Sequence, residues 1–193
     1  MIHLEAPFTE EKIRQLRVGD MVLLSGVIFT GRDAVHKWLH DGNAPPVSLR
    51  DGIIYHCGPV VVKRGGSWKV VAAGPTTSIR EEPYQAWTFE HLGVRAVIGK
   101  GGMGTKTLEG CAKYGCVYFH AIGGAAQVLA ESIKDVENVY MYDEFGSPEA
   151  IWQFRVEKFP VVVTMDAHGG SLHREVEEDS GRRLAELLAG MKK

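Results

Sequence analysis

The sequence predicts a single-domain α/β fold with a mixed sheet. Three observations carry that expectation. Between residues 94 and 133, short apolar runs alternate with glycine loops and helical periodicity, the pattern of right-handed β-α-β units. The first half instead holds β-branched runs joined by Gly-Pro and Gly-Gly turns, as hairpins do. The chain has 193 residues, 45% apolar and 24% charged, which suits one globular domain over residues 1–193 without disulfide or metal support.

Taken in order, residues 10–17 are charged and read as a short surface helix. Residues 21–29 are apolar and β-branched, a buried strand. Thr30-Gly-Arg-Asp opens a helix with Asp33 near its N-terminus and Val35, Trp38 and Leu39 on one face. Gly42-Asn-Ala-Pro-Pro is a loop. Residues 53–62 form one or two strands around a Gly-Pro turn, and Arg64-Gly-Gly-Ser returns the chain into a strand over 68–73. Residues 82–92 are helical with Trp87 and Leu92 inward. A strand (94–98), a glycine loop (99–104), a helix (105–114) and a strand (116–120) follow. A helix opens at Gly123 and runs to 133, and a strand follows at 139–142. Residues 151–156 and 161–165 make an antiparallel pair. An amphipathic helix at about 172–191 ends the chain.

Composition excludes several classes. A net charge of −2 argues against nucleic acid as the main partner. No apolar run approaches the ~20 residues of a membrane span. The N-terminus, Met1-Ile-His-Leu-Glu, lacks a basic region followed by an apolar stretch, so no signal peptide is expected. Three cysteines (Cys57, Cys111, Cys116) cannot all pair, which fits a reducing, cytoplasmic compartment. Glycine is abundant, 23 residues, and it gathers in loops where backbone can approach a ligand.

Three strand-to-helix junctions carry candidate chemistry. Gly74-Pro-Thr-Thr-Ser-Ile-Arg80 offers hydroxyls, backbone N–H groups and a guanidinium together; it is either an anion site or an ordinary helix cap. Gly99-Lys-Gly-Gly-Met-Gly104 resembles a phosphate loop, but Thr105 stands where the lysine of a P-loop belongs, so Lys100 is left as a point charge. Gly31-Arg-Asp places Arg32 beside Asp33, either as a surface ion pair or with Arg32 facing a shared site. Three cations at three such junctions suit a small dianion. The cysteine spacing, Cys111-x4-Cys116 with Cys57 remote, does not suggest an iron–sulfur cluster held by this chain, and no metal site is expected.

An ordered set of motifs resembles a known family. The set is Val18-Gly-Asp with Ser25-Gly, Gly31-Arg-Asp-x-x-His-Lys, Tyr55-His-Cys-Gly-Pro-Val, Ala73-Gly-Pro-Thr-Thr-Ser, Gly99-Lys-Gly-Gly-Met-Gly and Glu149-Ala-Ile-Trp. It is similar to the β subunit of class I iron–sulfur fumarate hydratase and of the related L-tartrate dehydratase. The resemblance implies a swivelling β/β/α fold. It implies a hetero-oligomer in which an α subunit holds a 4Fe–4S cluster whose open iron acts as a Lewis acid on a small dicarboxylate substrate. By position, Arg32, Arg80 and Lys100 would be the cationic contacts, Thr77 a hydroxyl contact, and Thr76 the residue nearest proton transfer. A docking subunit without catalytic residues and a nucleotide-binding module are the competing readings. The sequence departs from the family after Arg80, where Glu81-Glu82-Pro83 stands in place of Met and a polar residue. Two carboxylates beside a dianion site are expected to point to solvent.

Overall fold

The computed structural model describes residues 1–191. The chain runs β1 (Ile2–Glu5), α1 (Glu10–Ile13), β2 (Met21–Thr30), α2 (Asp33–His40), β3 (Ile53–Tyr55), β4 (Val60–Arg64), β5 (Ser67–Ala72), a 3-10 turn (Ser78–Glu81) and α3 (Glu82–Leu92). It continues through β6 (Ala96–Gly99), α4 (Thr105–Tyr114), β7 (Val117–His120), α5 (Ala126–Glu131), β8 (Ile133–Tyr140), α6 (Tyr142–Phe145), β9 (Ile151–Met165) and α7 (Leu172–Gly190). Seven strands form one mixed sheet, ordered β1-β2-β3-β6-β7-β9-β8, while β4 and β5 pair separately as a hairpin. A further pairing of β2 with β9 closes β2, β3, β6, β7 and β9 into a ring. Within it β2, β3, β6 and β7 are parallel, and β9 runs against them. The mixed α/β expectation holds.

Alternation along the strands divides the core in two. Ile53 and Tyr55, Ala96 and Ile98, Val117 and Phe119 point to one side with Leu24, Phe159 and Trp152. Ile54, Val97 and Tyr118 point to the other, where Leu39 of α2, Phe89 of α3 and Leu108 and Cys111 of α4 cover them. Trp87 and Leu92 pack against that second cluster, as expected. Gly93 and Gly115 end α3 and α4 in the left-handed region, each with φ of 66°, a conformation glycine adopts without a Cβ penalty.

Several elements differ from the sequence expectation. The antiparallel pair expected at 151–156 and 161–165 is one 15-residue strand, β9. Both halves lie against β2: Gln153–Val156 face Gly26–Phe29, and Phe159–Val162 face Met21–Leu24. A bulge joins them, with Lys158 at φ 53° and its N–H donating to Ser25 Oγ at 3.1 Å. Turning back here would unbury Phe159, which is fully enclosed. Strand β1 was not expected; only Leu4 of its four residues faces inward, too little pattern to read. The helix over 10–17 shrinks to α1, because Leu16 turns into the core and residues 17–20 form a turn. The chain is already strand at Ile133, so of the strand expected at 139–142 only Val139 and Tyr140 lie in it, as the end of a longer β8, while Met141 turns left-handed and Tyr142 opens α6. Among the described residues no helix is long and apolar enough to cross a membrane.

The exit from β9 is fastened by Asp166, which is 5% exposed. Its carboxylate accepts from the backbone N–H groups of Val18 (3.0 Å), His168 (2.9 Å) and Gly170 (2.9 Å). Asp166→Ala would leave three donors unpaired. We expect a loss of roughly 2–4 kcal/mol in urea unfolding, with Asp166→Asn losing less because its amide oxygen still accepts.

Candidate active site

The carboxyl ends of the parallel strands gather the candidate residues, the position where ligands bind in open α/β sheets. Arg32 and Asp33 follow β2, His56 and Gly58 follow β3, and Lys100 follows β6. The Gly74–Ser78 segment is stitched between the ends of β3 and β6. Thr76 N–H donates to His56 O (2.7 Å), Lys100 N–H to Thr76 O (3.1 Å) and Ser78 N–H to Lys100 O (3.0 Å). This extended stretch forms a parallel bridge between Thr77 and Lys100. Beneath it the buried Ser78 Oγ lies 2.8 Å from His56 Nδ1 and receives the Tyr118 hydroxyl at 3.0 Å. Gly99 is required here, since a Cβ would occupy the space of Ser78 Oγ.

Thr76, Thr77, Arg80 and Lys100 are therefore brought to one surface. Arg80 Nη2 donates to Thr76 Oγ1 at 2.9 Å, and Arg80 Nε lies 3.3 Å from Asp33 Oδ1. Thr77 and Arg80 are exposed, so the cluster is open to solvent on one side. Arg32 sits beside this group rather than within it. It pairs with Glu149 at 3.2 Å, its Nη1 is 3.4 Å from Pro148 O, and it crosses Gly58, where a Cβ would approach Nη1 to 2.5 Å. The local Arg32–Asp33 pair does not form; each charge finds a partner from another element.

The helix ends are not free for an anion. Glu149 also accepts the Ala34 N–H (3.1 Å) at the start of α2. Glu82 accepts the N–H groups of Gly104 (2.8 Å) and Thr107 (3.2 Å) and the Thr107 hydroxyl at the start of α4. Internal carboxylates thus take the N-terminal dipoles that a phosphate would use. The expectation of free N–H groups after Gly74 is corrected likewise, because Thr76 and Ser78 spend theirs on backbone carbonyls and a 3-10 turn separates them from α3. Thr77 makes no cap hydrogen bond either. That leaves the side chains of Arg80, Lys100 and Arg32 and the threonine hydroxyls as the candidate contacts for an anion.

The two acidic residues after Arg80 do not point to solvent. Glu82 caps α4 as described. Glu81 is 0% exposed and turned inward beside His36, His56 and Gln85, all three fully buried. Burial, a contact with Asp33 and the nearby Glu149 carboxylate push the Glu81 carboxyl up to about 9, against the opposing pull of Arg80. Burial lowers His36 to about 4 and His56 well below its ordinary value, so both imidazoles are neutral. Sequence reasoning missed Asp33, Glu81, Glu149 and this buried layer as parts of the site. The signals available were Asp33, His36, His56 and Glu149 within the quoted motifs and the departure at Glu81.

The three cysteines are buried and free. Burial pushes Cys57 and Cys116 up to about 12 and Cys111 well above its ordinary value, so none is a ready thiolate ligand. Among the described residues no group of three or more His, Cys, Asp and Glu side chains is arranged to hold a metal ion. A groove of about 820 Å³ lies between the β4–β5 hairpin and β8, lined in part by Trp68, Gln127 and Lys134; it shares no residue with the cationic cluster. Geometry and charge favour the cluster over the groove as the functional surface. The buried histidines set an acid limit. The unfolded chain takes up the His36 proton near pH 6.5 but the folded chain only near 4, so stability is lost as pH falls through that window. We expect a decline of roughly 3 kcal/mol from this residue, measured by urea unfolding against pH, with a flatter profile for His36→Gln.

The family described as Fumarase C-terminus matches residues 1–176. A protein of Geobacillus stearothermophilus, provisionally named fumarate hydratase class I, is 57% identical over 188 residues; they cover 97% of this chain but 36% of that relative. A protein of Methanocaldococcus jannaschii, provisionally named L(+)-tartrate dehydratase subunit beta, is 41% identical over 93% of this chain and 95% of its own length. The L(+)-tartrate dehydratase subunit beta of Escherichia coli (strain K12) is 39% identical over 89% of this chain and 86% of its own. A match across residues 1–176, with relatives above 30% identity over 86–95% of their length, places this chain in the Fumarase C-terminus family.

Proposed function

We propose that this chain is the substrate-clamping β subunit of a two-part iron–sulfur hydro-lyase that interconverts fumarate and L-malate. One observation carries the reading: Arg80, Lys100, Thr76 and Thr77 converge on an open surface at the strand ends, with Arg32 alongside. The surface is cationic and rich in hydroxyls, which suits a small dicarboxylate. Its open side leaves room for an α subunit. The thiols of this chain do not suit a 4Fe–4S cluster, so we assign the cluster to that partner. The cytoplasm, a reducing compartment, suits three unpaired thiols.

The reaction adds water across an activated C=C bond, or removes it. In the dehydration direction a proton leaves the carbon beside a carboxylate, and negative charge builds on that carboxylate. Arg80 and Lys100, already placed by the Thr76–Ser78 stitching, stabilise that charge without reorganising. Arg32 adds a third cationic contact whose plane Glu149 fixes. Thr77 supplies a hydroxyl to the second carboxylate. Thr76 stands nearest the proton. A lone threonine is a poor base, but Arg80 donates to its oxygen at 2.9 Å and lowers the energy of the alkoxide form. An acidic residue of the partner would share the proton.

L-tartrate dehydration is the second reading, favoured by length: the tartrate dehydratase β subunits match this chain nearly end to end, whereas the fumarate hydratase relative is longer. The experiment is anaerobic assay of the complex with a cluster-bearing α subunit, on fumarate, malate and L-tartrate. We expect Arg80→Ala to assemble normally and to lower kcat/KM about ten- to a hundredfold, the loss of one charge-assisted hydrogen bond. Turnover of tartrate alone would change the substrate and keep the clamp. Full activity in Arg80→Ala would assign the chain a docking role instead.

A further inference from the structure

We propose that Glu81 is a buried carboxylic acid that shares its proton with the Asp33 carboxylate, and that this pair holds Arg80 in position. The inference rests on the reading above only for its catalytic consequence.

The local charge count requires a neutral Glu81. Around it are Asp33 and His36 from α2, Arg80 from its own turn and Glu149 before β9, with His56 edge-on to His36 and Arg32 paired to Glu149. The two guanidinium groups already have carboxylate partners, Arg32 with Glu149 and Arg80 with Asp33. Both imidazoles are enclosed and neutral. No cation is left for a third carboxylate in a place without water. An isolated buried charge is among the least stable arrangements in a protein, and the group protonates instead.

The hydrogen-bond pattern agrees. Both Glu81 oxygens and Asp33 Oδ1 are buried, and none accepts a hydrogen bond from a fixed donor. The Glu81 and Asp33 carboxyls interact, and that contact is among the causes pushing the Glu81 carboxyl up. As carboxylates they are acceptors only and would repel. A single proton between them turns that contact into a charge-assisted hydrogen bond and satisfies an oxygen on each side. His36 Nδ1 lies 3.6 Å from Glu81 Oε2 but is 3.0 Å from Arg32 O, so it does not supply that proton. The half-exposed Asp33, facing Arg80, remains the carboxylate of the two.

Glu81 is a positioning residue. It pins Asp33 from behind, Asp33 faces Arg80 Nε, and Arg80 Nη2 then reaches Thr76 Oγ1. Without the Glu81 proton, Asp33 is free to swing into water and Arg80 loses its inner anchor. The same logic explains how a glutamate can stand beside a dianion site without repelling the ligand.

The test uses the full chain first. Infrared difference spectra at pH 7 should show the carbonyl stretch of a protonated carboxylic acid in the wild type but not in Glu81→Gln. That band should titrate away near pH 9. In proton NMR the Arg80 Nε–H should exchange slowly in the wild type and in Glu81→Gln, whose amide still donates to Asp33, and rapidly in Glu81→Leu. Because the folded state holds this proton and the unfolded chain does not, wild-type stability falls relative to Glu81→Gln as pH rises from about 5 to about 9, up to about tenfold in the folding equilibrium per pH unit. In the active complex, Glu81→Leu should raise KM about tenfold with a smaller change in kcat, and Glu81→Gln should recover most of that loss. A missing carbonyl band, or equal Arg80 exchange in all three proteins, overturns the proposal. An inactive wild-type complex that still shows the band and the protected Arg80 would remove the hydro-lyase reading and leave the carboxyl pair standing.

Discussion

Everything at the candidate site hangs on one short run of backbone hydrogen bonds. The ends of β3 and β6 part, and Thr76–Ser78 is drawn in between them by the His56, Thr76 and Lys100 carbonyls. This insertion determines the height of Thr76 and Thr77 above the sheet, brings Lys100 beside them and starts the 3-10 turn that carries Arg80 and Glu81. It needs a glycine at position 99, because Ser78 Oγ fills the space of any Cβ there. Ser78 is in turn held from below by His56 and Tyr118. A backbone placed by sheet-like bonds is stiffer than a free loop, which suits groups that must meet developing charge without rearranging.

Electrostatics is organised in two layers on that frame. The outer layer holds cations matched to carboxylates: Arg80 to Asp33 and Arg32 to Glu149. The inner layer is buried and neutral: His36, His56, Glu81, Gln85 and Ser78. Each layer limits the other. Burial keeps the inner groups uncharged, and their neutrality leaves the local charge to the outer ion pairs and Lys100. The N-termini of α2 and α4, which could have served as anion sites, are already used by Glu149 and Glu82, so the cations left open at the strand ends are side chains over a rigid support.

Belonging to the Fumarase C-terminus family gives the cluster its chemical context. The match with separate β subunits extends along nearly their full length, while the fumarate hydratase relative carries the same segment as about a third of its chain. The segment is therefore found both as its own chain and within a longer one, as a unit whose site faces outward would allow.

Much of this was legible in the sequence. Apolar alternation gave the parallel strands, glycine and proline gave the turns, and the glycine-flanked cations marked Arg32, Arg80 and Lys100 at strand ends. These are local signals, since periodicity and turn chemistry act over a few residues. What lay beyond reach was non-local. The straight run of β9 depends on β2 offering partners to both halves, and the inward turn of Glu81 depends on the three elements that enclose it. Sequence alone treats a glutamate as a solvated charge. Only the tertiary structure decides that Arg80 and Arg32 are already paired, that Glu81 is enclosed, and that burial therefore pushes its carboxyl up to about 9. Sequence determined which charges lie at the strand ends; packing decided which of them remain charged, because ionisation depends on enclosure and on partners far apart along the chain.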